Sequence, residues 1–150
     1  ELVIRPLFSL FFPELTQIHQ PLSGEYAGFR EIFEKIPFTI GYGVETSMIL
    51  DIYEKWGLEV IAQVDLDRRI HRNQDTKALG RMSFAILKTF INRQKNLGLA
   101  EFKSDLYDEI IQYNLVENEY QPDIFKIAGL ERPPIIEIPE YCQKFKPNVN

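Results

Sequence analysis

The chain has little cysteine and no long hydrophobic run. Its single cysteine, Cys142, cannot form an internal disulfide, and there is no cluster of thiolates for a structural zinc site. The longest apolar stretch, LFSLFF within residues 7–12, is far too short to span a bilayer. These absences argue against a disulfide-stapled scaffold and a membrane partner, and they favour a protein of the reducing cytoplasm.

An excess of positive charge is also missing. The 17 Lys and Arg residues stand against 22 Asp and Glu residues, which gives a net charge of −5. A mildly acidic chain does not attract nucleic acid or an anionic membrane surface through its overall field, so we expect neither as a partner. The Gly-x-Ser-x-Gly, HExxH, CxxC, GxGxxG and P-loop motifs are absent as well.

What the sequence does have is enough apolar content for a core and several helical patterns. Apolar residues make up 45% of the chain, and a chain of 150 residues fits a single domain. Apolar spacing predicts a first helix within residues 1–12, ended by Pro13, and a short one over about residues 29–36. It predicts longer helices from Val44 to Trp56, with Gly57 as the cap, and from Asp75 or Thr76 to Asn96.

The remaining segments predict few strands. LEVIAQVDL, residues 58–66, has the pattern of a buried strand, with Val60, Ile61 and Val64 inside. We expect a further helix over residues 103–116 and, from Glu117, an extended proline-rich arm, which divides the chain into 1–116 and 117–150. One confident strand is too few for a sheet of its own. The prediction is therefore an α/β chain, mostly helical, that lies against a sheet supplied elsewhere.

Two polar stretches could carry chemistry. GYGVE, residues 41–45, places Tyr42 and Glu45 around a glycine backbone that can approach a ligand closely. The plainer interpretation is that Glu45 is a stabilising acid in the first turn of a helix. The stretch RRIHRNQ, residues 68–74, combines arginine forks that suit phosphate oxygens with an imidazole that could bind a divalent cation. Its plainer interpretation is a solvated basic loop.

Four segments in order carry a family resemblance: GEYAG (24–28), GYGVE (41–45), IAQVDL (61–66) and HRN (71–73). With their spacing they resemble the C-terminal half of glucosyl-3-phosphoglycerate synthases, which are retaining, nucleotide-sugar-dependent glycosyltransferases of the GT-A fold. The similarity covers roughly residues 1–95, and ERPPIIEIPEY near the end resembles the terminal arm of the family. Ser23 and Phe29 stand where the family has glycine and arginine, which leaves the role of GEYAG open.

The resemblance implies a set of site residues. Glu45 would hold hydroxyl groups of the donor sugar, and His71 would be a protein ligand of a divalent metal, Mg²⁺ or Mn²⁺. Asn73 would contact the phosphoglycerate acceptor. Because the family retains configuration at the anomeric carbon, Glu45 is not assigned as a general base. The donor-binding residues implied as a whole are Tyr42, Gly43, Val44, Glu45, Arg69, Ile70, His71, Arg72, Asn73 and Gln74.

The resemblance also implies that this chain is the C-terminal portion of a GT-A fold and holds part of an active site. The other metal ligands, in a DxD motif, would then precede Glu1. The implied reaction transfers glucose from UDP-glucose to 3-phosphoglycerate, in a homodimeric cytoplasmic enzyme. Two alternatives stay open. One is a related transferase for another sugar, such as mannose, and the other is a non-catalytic dimerisation or packing module, which the apolar first helix and the proline-rich end would suit.

Overall fold

The computed structural model describes residues 2–67 and 74–145. These residues form α-helices, short β-strands and single 3-10 turns, and no helix among them is long and apolar enough to cross a membrane. The helices are α1 (Ile4–Phe11), α2 (Arg30–Phe33), α3 (Val44–Trp56), α4 (Thr76–Asn96) and α5 (Pro139–Phe145), and the strands are β1 (Phe38–Thr39), β2 (Glu109–Val116), β3 (Glu119–Lys126) and β4 (Glu131–Arg132).

The core lies where α1, α3 and α4 meet. Helix α1 buries Ile4 and Phe8, four residues apart on one face, and α4 contributes Phe90, which is 1% exposed. The ring of Phe12 meets the rings of Tyr53 and Phe90 edge to face, at centroid distances of 5.9 and 6.0 Å. Such pairs add about 0.5–1.5 kcal/mol beyond the area that they bury. The first helix is therefore part of the core of this fold.

The two long helices begin and end at the residues that the sequence predicts. Helix α3 ends at Gly57, whose φ of +80° lies in the left-handed region that favours glycine. Helix α4 begins after Asp75, whose carboxylate accepts a hydrogen bond from the backbone N–H of Ala78 at 2.8 Å. A cap of this kind satisfies an otherwise unpaired amide and contributes about 1 kcal/mol. Helix α2 is confirmed but spans only four residues.

The prediction of a helix over residues 103–116 is wrong. Strand β2 occupies Glu109–Val116, and it pairs antiparallel with β3 to form a hairpin. The hairpin turns at Glu117 and Asn118, which both have positive φ, as a two-residue primed turn requires. The alternation of apolar and polar side chains along β2 has a period of two, and this period outweighs the helical spacing that the sequence also shows.

The expectation of an extended arm from Glu117 is also wrong. That part of the chain forms β3, then β4, then the helix α5. Strand β4 pairs antiparallel with β1, with Arg132 opposite Phe38. Helix α5 packs back on α2, because the hydroxyl of Tyr141 donates to the Glu34 carboxylate and Arg30 lies 4.8 Å from the ring centre of Phe145. The division of the chain at residue 116 stays a prediction, although the hairpin does turn there.

The predicted buried strand in residues 58–66 is wrong for the part of the chain that the structure describes. Leu58–Val60 form a 3-10 turn, and residues 61–67 pair with no other strand. Val60 is 48% exposed and Val64 is 79% exposed. The segment is held instead through the side chain of Gln63, which accepts from His19 N–H at 2.7 Å and donates to the Gln17 carbonyl at 2.8 Å.

Candidate functional site

GYGVE sits between a strand and a helix that fix it from both sides. Before it, the backbone N–H of Ile40 donates to the carbonyl of Leu130 at 3.0 Å, which extends the β1–β4 pairing by one residue. Helix α3 begins within the segment, at Val44. The glycines and Tyr42 between them form a single 3-10 turn, entered at Gly41 with φ of +73°. The turn therefore has a defined geometry in a segment that looks flexible in the sequence.

Gly43 is buried and brings α3 against the middle of α4. A Cβ atom at this position would lie 2.0 Å from Oγ1 of Thr89 and 3.2 Å from Cγ2 of Thr39. Both distances are shorter than ordinary van der Waals contact, so no side chain fits. The backbone of Gly43 itself is unstrained, with φ of −81°. Glycine is needed here for close helix packing.

Tyr42 and Glu45 are the members of GYGVE that offer polar groups to a ligand. The side chain of Tyr42 is 52% exposed. Glu45 is half-buried in the first turn of α3, and its Oε1 accepts a hydrogen bond from the backbone N–H of Gly24 at 2.5 Å. Val44 is half-buried beside them. The structure thus brings the first segment of the family resemblance, GEYAG, into contact with the second, which sequence spacing alone did not show.

The negative charge of the Glu45 carboxylate also acts on Tyr26 of GEYAG. Its hydroxyl donates to the carbonyl of Pro21 at 2.6 Å. Partial burial, and next the negative charge of Glu45, raise the pKa of Tyr26 to about 12. The phenol is therefore neutral and a hydrogen-bond donor at any physiological pH.

A largely buried ion-pair group links the middle of α3 to α4 and β4. Arg93 donates to the carboxylate of Asp51 at 2.8 Å and also pairs with Glu131. Asp51 and Arg93 are each 6% exposed. Burial raises the pKa of Asp51 from its ordinary 3.8 to about 6, against the opposing effect of the Arg93 charge. Periodicity gave no sign of this group, since it joins residues from three separate elements.

The second predicted stretch is described only at its end. Arg69, Ile70, His71, Arg72 and Asn73 lie outside the described residues, so their predicted roles stay predictions. Gln74 is exposed and comes directly before the cap of α4. Gly43 contacts Thr89, which lies about 20 Å along the α4 axis from Thr76, at 1.5 Å per residue. The described structure therefore places Gln74 near the start of α4 and GYGVE near its middle.

The expectation that every DxD carboxylate precedes this chain overlooked Asp65, Leu66 and Asp67, which have that spacing four residues before His71. Both aspartates are exposed, and Asp65 Oδ1 accepts from the N–H of Asp67 at 2.9 Å. Asp67 has φ of +60°. Within residues 2–67 and 74–145, no group of three or more His, Cys, Asp or Glu side chains could hold a metal ion.

Two grooves on the described surface lie away from GYGVE. One is lined by Gln17, Leu58, Glu59 and neighbours, and another by Glu14, Tyr53 and Glu54 with some of the same residues. Neither includes any residue of GYGVE. Tyr42 is exposed, so the surface at GYGVE is open among the described residues.

Comparison with known proteins gives clear relatives, although no family model matches the chain. The chain is 52% identical over 145 residues to the glucosyl-3-phosphoglycerate synthase of Petrotoga mobilis, a match that covers 97% of this chain and 45% of the relative. It is 37% identical over 139 residues to the enzyme of that name from Mycolicibacterium smegmatis, covering 90% of this chain and 42% of the relative. The chain spans less than half the length of these relatives.

Solved structures agree with the fold. Mannosyl-3-phosphoglycerate synthase from Rubrobacter xylanophilus matches with a TM-score of 0.85 and 35% identity, over 91% of this chain and 46% of that one. Glucosyl-3-phosphoglycerate synthase from Mycobacterium tuberculosis, solved with Mn²⁺, UDP and phosphoglyceric acid, matches with a TM-score of 0.81 and 36% identity, over 91% and 45%. These are GT-A glycosyltransferases matched over their C-terminal portion, which confirms the predicted α/β fold class.

Proposed function

This chain is homologous to the C-terminal portion of glucosyl-3-phosphoglycerate synthases, and on that premise we propose that the intact protein transfers glucose from UDP-glucose to 3-phosphoglycerate. The products are glucosyl-3-phosphoglycerate and UDP. The identity of 52% over nearly the whole chain is the observation that carries the proposal. Incubation of the intact protein with both substrates and Mg²⁺ should release UDP and form the glucoside, detected by mass spectrometry. Absence of both products would favour a non-catalytic module.

The donor side of the site would be shared between GYGVE and residues 69–74. Glu45 would accept hydrogen bonds from sugar hydroxyls, and Tyr42 offers an exposed hydroxyl next to it. Arg69 and its neighbours through Gln74 would face the diphosphate, and Asn73 the acceptor, as the family resemblance implies. Gln74 and Gly43 lie at different levels of α4. A ligand that contacts both would have to be extended, which suits a nucleotide sugar.

We also propose that a divalent metal, Mg²⁺ or Mn²⁺, acts with this site, as in the Mycobacterium tuberculosis structures solved with each ion. When bound, such an ion stabilises charge on a departing diphosphate. The described residues of this chain do not form a ligand set by themselves. His71 is the ligand that the resemblance assigns to this chain.

Substitution of the two histidines tests the metal assignment. In the intact protein, His71→Ala should abolish metal-dependent turnover, whereas His19→Ala, at the exposed second histidine, should leave it unchanged. Full activity of His71→Ala at saturating metal would contradict the assignment. Asp65→Asn with Asp67→Asn adds a separate comparison. Loss of metal-dependent turnover in that double variant would place the carboxylate ligands within this chain rather than before it.

A second donor sugar has specific support. The mannosyl-3-phosphoglycerate synthase of Rubrobacter xylanophilus matches this fold with the TM-score of 0.85. Initial rates of the intact protein with UDP-glucose, GDP-glucose and GDP-mannose, at equal concentrations with 3-phosphoglycerate, separate the two activities. We expect a glucosyl donor to give the highest kcat/KM. A preference for GDP-mannose would assign the protein to the mannosyl branch.

The β2–β3 hairpin supports a homodimer. One face of it packs on α4, where Arg81 donates to Gln112 at 2.9 Å and lies 4.5 Å from the ring centre of Phe125. The opposite face carries five apolar side chains that are each more than half exposed. Together they amount to roughly 600 Å², which is the upper end of the largest apolar patch on a typical monomer and approaches the ~800 Å² that each partner contributes to a standard interface. The residues of this face are Ile111, Tyr113, Leu115, Tyr120 and Ile124.

We take a second copy of the protein as the partner of this face, because a two-fold interface buries the same patch on both subunits. Ile111 and Ile124 lie opposite each other in the strand register. Replacing both with lysine should convert a dimer to a monomer in light scattering at micromolar concentration. Leu10→Lys, at a 75% exposed position of α1, is the matched control and should leave the dimer intact. A monomeric wild type, or a dimeric double variant, would contradict the proposal.

We assign the intact protein to the cytoplasm. The single half-buried cysteine, Cys142, needs no oxidising compartment, and UDP-sugar and phosphoglycerate are substrates made inside cells. Cell fractionation followed by immunodetection should find the protein with soluble cytoplasmic markers. Recovery with the membrane or the secreted fraction would contradict this assignment.

A further inference from the structure

The loop of residues 21–26 is closed on itself by its own hydrogen bonds. The hydroxyl of Tyr26 donates to the carbonyl of Pro21 at 2.6 Å. The backbone N–H of Glu25 donates to Oγ of Ser23 at 3.3 Å. Gly24, at the tip, has φ of +75°, where a side chain would be strained. We call this segment the 21–26 loop.

The tip of the 21–26 loop is joined to the start of α3 by one short, charge-assisted bond. Gly24 N–H donates to Glu45 Oε1 at 2.5 Å, across 21 positions of sequence. Bonds from a neutral donor to a carboxylate are shorter and about twice as strong as bonds between neutral groups. Glu45 follows the rigid turn at Gly41–Gly43, so its backbone is fixed by helix packing and its carboxylate is fixed by the loop.

We propose that Gly24 and Tyr26 are positioning residues that orient the Glu45 carboxylate toward the sugar of the donor. Gly24 acts through its amide, and Tyr26 acts one step away by closing the loop that presents this amide. The inference rests on the proposed function, because it takes Glu45 as the group that holds the sugar. It gives the GEYAG segment, whose role the sequence left open, a part in donor recognition.

The inference distinguishes the sugar from the nucleotide. UDP lacks the hexose, so its affinity should not depend on how the Glu45 carboxylate is turned. UDP-glucose carries the hydroxyls that Glu45 would accept. A loosened 21–26 loop should therefore weaken UDP-glucose binding and spare UDP binding, whereas general loss of structure would weaken both together.

The test uses Tyr26→Phe in the intact protein, which removes one hydroxyl and keeps the ring. Titration calorimetry with Mg²⁺ should show a roughly 3- to 10-fold weaker affinity for UDP-glucose, with UDP affinity unchanged; the KM for 3-phosphoglycerate should also be unchanged. Gly24→Ala, which strains the amide at a positive φ, should act in the same direction. Tyr141→Phe is the matched control, because its hydroxyl bonds Glu34 between α5 and α2 and touches neither Gly24 nor Glu45.

Each result decides the inference. Equal weakening of UDP and UDP-glucose in both loop variants, or no change in either, overturns the positioning role. A change of similar size in Tyr141→Phe overturns it too, since any lost tyrosine hydroxyl would then suffice. Failure of the proposed function appears separately, because the wild-type protein would then give no product from UDP-glucose and 3-phosphoglycerate.

Discussion

Replacing Gly43 with alanine tests the helix contact on which the geometry of GYGVE depends. The added Cβ would lie 2.0 Å from Thr89 Oγ1 and 2.9 Å from Thr89 Cβ, so the two helices or the Thr89 side chain must move. Overpacking of this kind costs about 1–3 kcal/mol. Gly43 already has φ of −81°, so alanine is not strained and should regain up to about 1 kcal/mol from the unfolded state. The expected net loss of stability is about 1–2 kcal/mol.

A double-mutant cycle with Thr89→Ala separates the clash from other effects. Thr89→Ala removes the nearest atom but leaves its Cβ, so it should recover about half of the loss, a coupling on the order of 1 kcal/mol. Gly41→Ala is the matched control. Its Cβ would meet nothing within 4 Å, but its φ of +73° is strained, so it should cost about 1 kcal/mol that Thr89→Ala does not recover. Urea midpoints of the intact protein give the stability changes of the three single variants and of the two double variants with Thr89→Ala. Additive effects of Gly43→Ala and Thr89→Ala would refute the contact.

Further predictions concern the buried ion pairs and segment 61–67. Because the folded pKa of Asp51 is raised to about 6, its contribution to stability is complete below pH 3.8 and is lost as the pH rises through 6, by about 3 kcal/mol. Asp51→Asn should remove that decline from urea midpoints measured between pH 4 and 8, and an unchanged slope would contradict the raised pKa. Arg93→Met should cost about 3–5 kcal/mol at pH 7, because it leaves buried Asp51 uncompensated; a loss below 1 kcal/mol would contradict the pairing. In the intact protein, a neighbouring strand from outside this chain would protect the amides of residues 62–66 from hydrogen exchange. Fast exchange of these amides would contradict such a neighbour.

Local rules predicted the long helices well. Helix α3 has its apolar face and its terminal Gly57, and α4 has its Asp75 cap, all within a few residues of sequence. The residues that determine these helix boundaries are all neighbours in this sequence. The hairpin was missed because residues 103–116 also carry helical spacing, and the turn at Glu117 and Asn118 lacks the glycine that marks most tight hairpins.

The contacts within the candidate site could not be predicted by such local rules. Periodicity could not link Gly24 to Glu45, or Asp51 to Arg93 and Glu131, because each contact joins residues that are far apart in sequence. Local chemistry also left GYGVE open between a ligand site and an ordinary helix start. The order of four segments, compared with a family, singled out the candidate residues, and only the fold showed that Gly24 and Glu45 are in contact.

Segment 61–67 has the alternation of a strand but does not form one among the described residues. Its residues alternate as a strand does, and a strand is stable only when a neighbour satisfies its backbone N–H and C=O groups. Among the described residues no neighbour pairs with it, and Val64 and Leu66 expose 79% and 65% of their surface. The relatives are more than twice as long as this chain, so their folds contain elements that it does not. A strand added beside residues 61–67 would satisfy the backbone groups of this segment and bury Val64 and Leu66, and it would lie against the segment that carries Asp65 and Asp67.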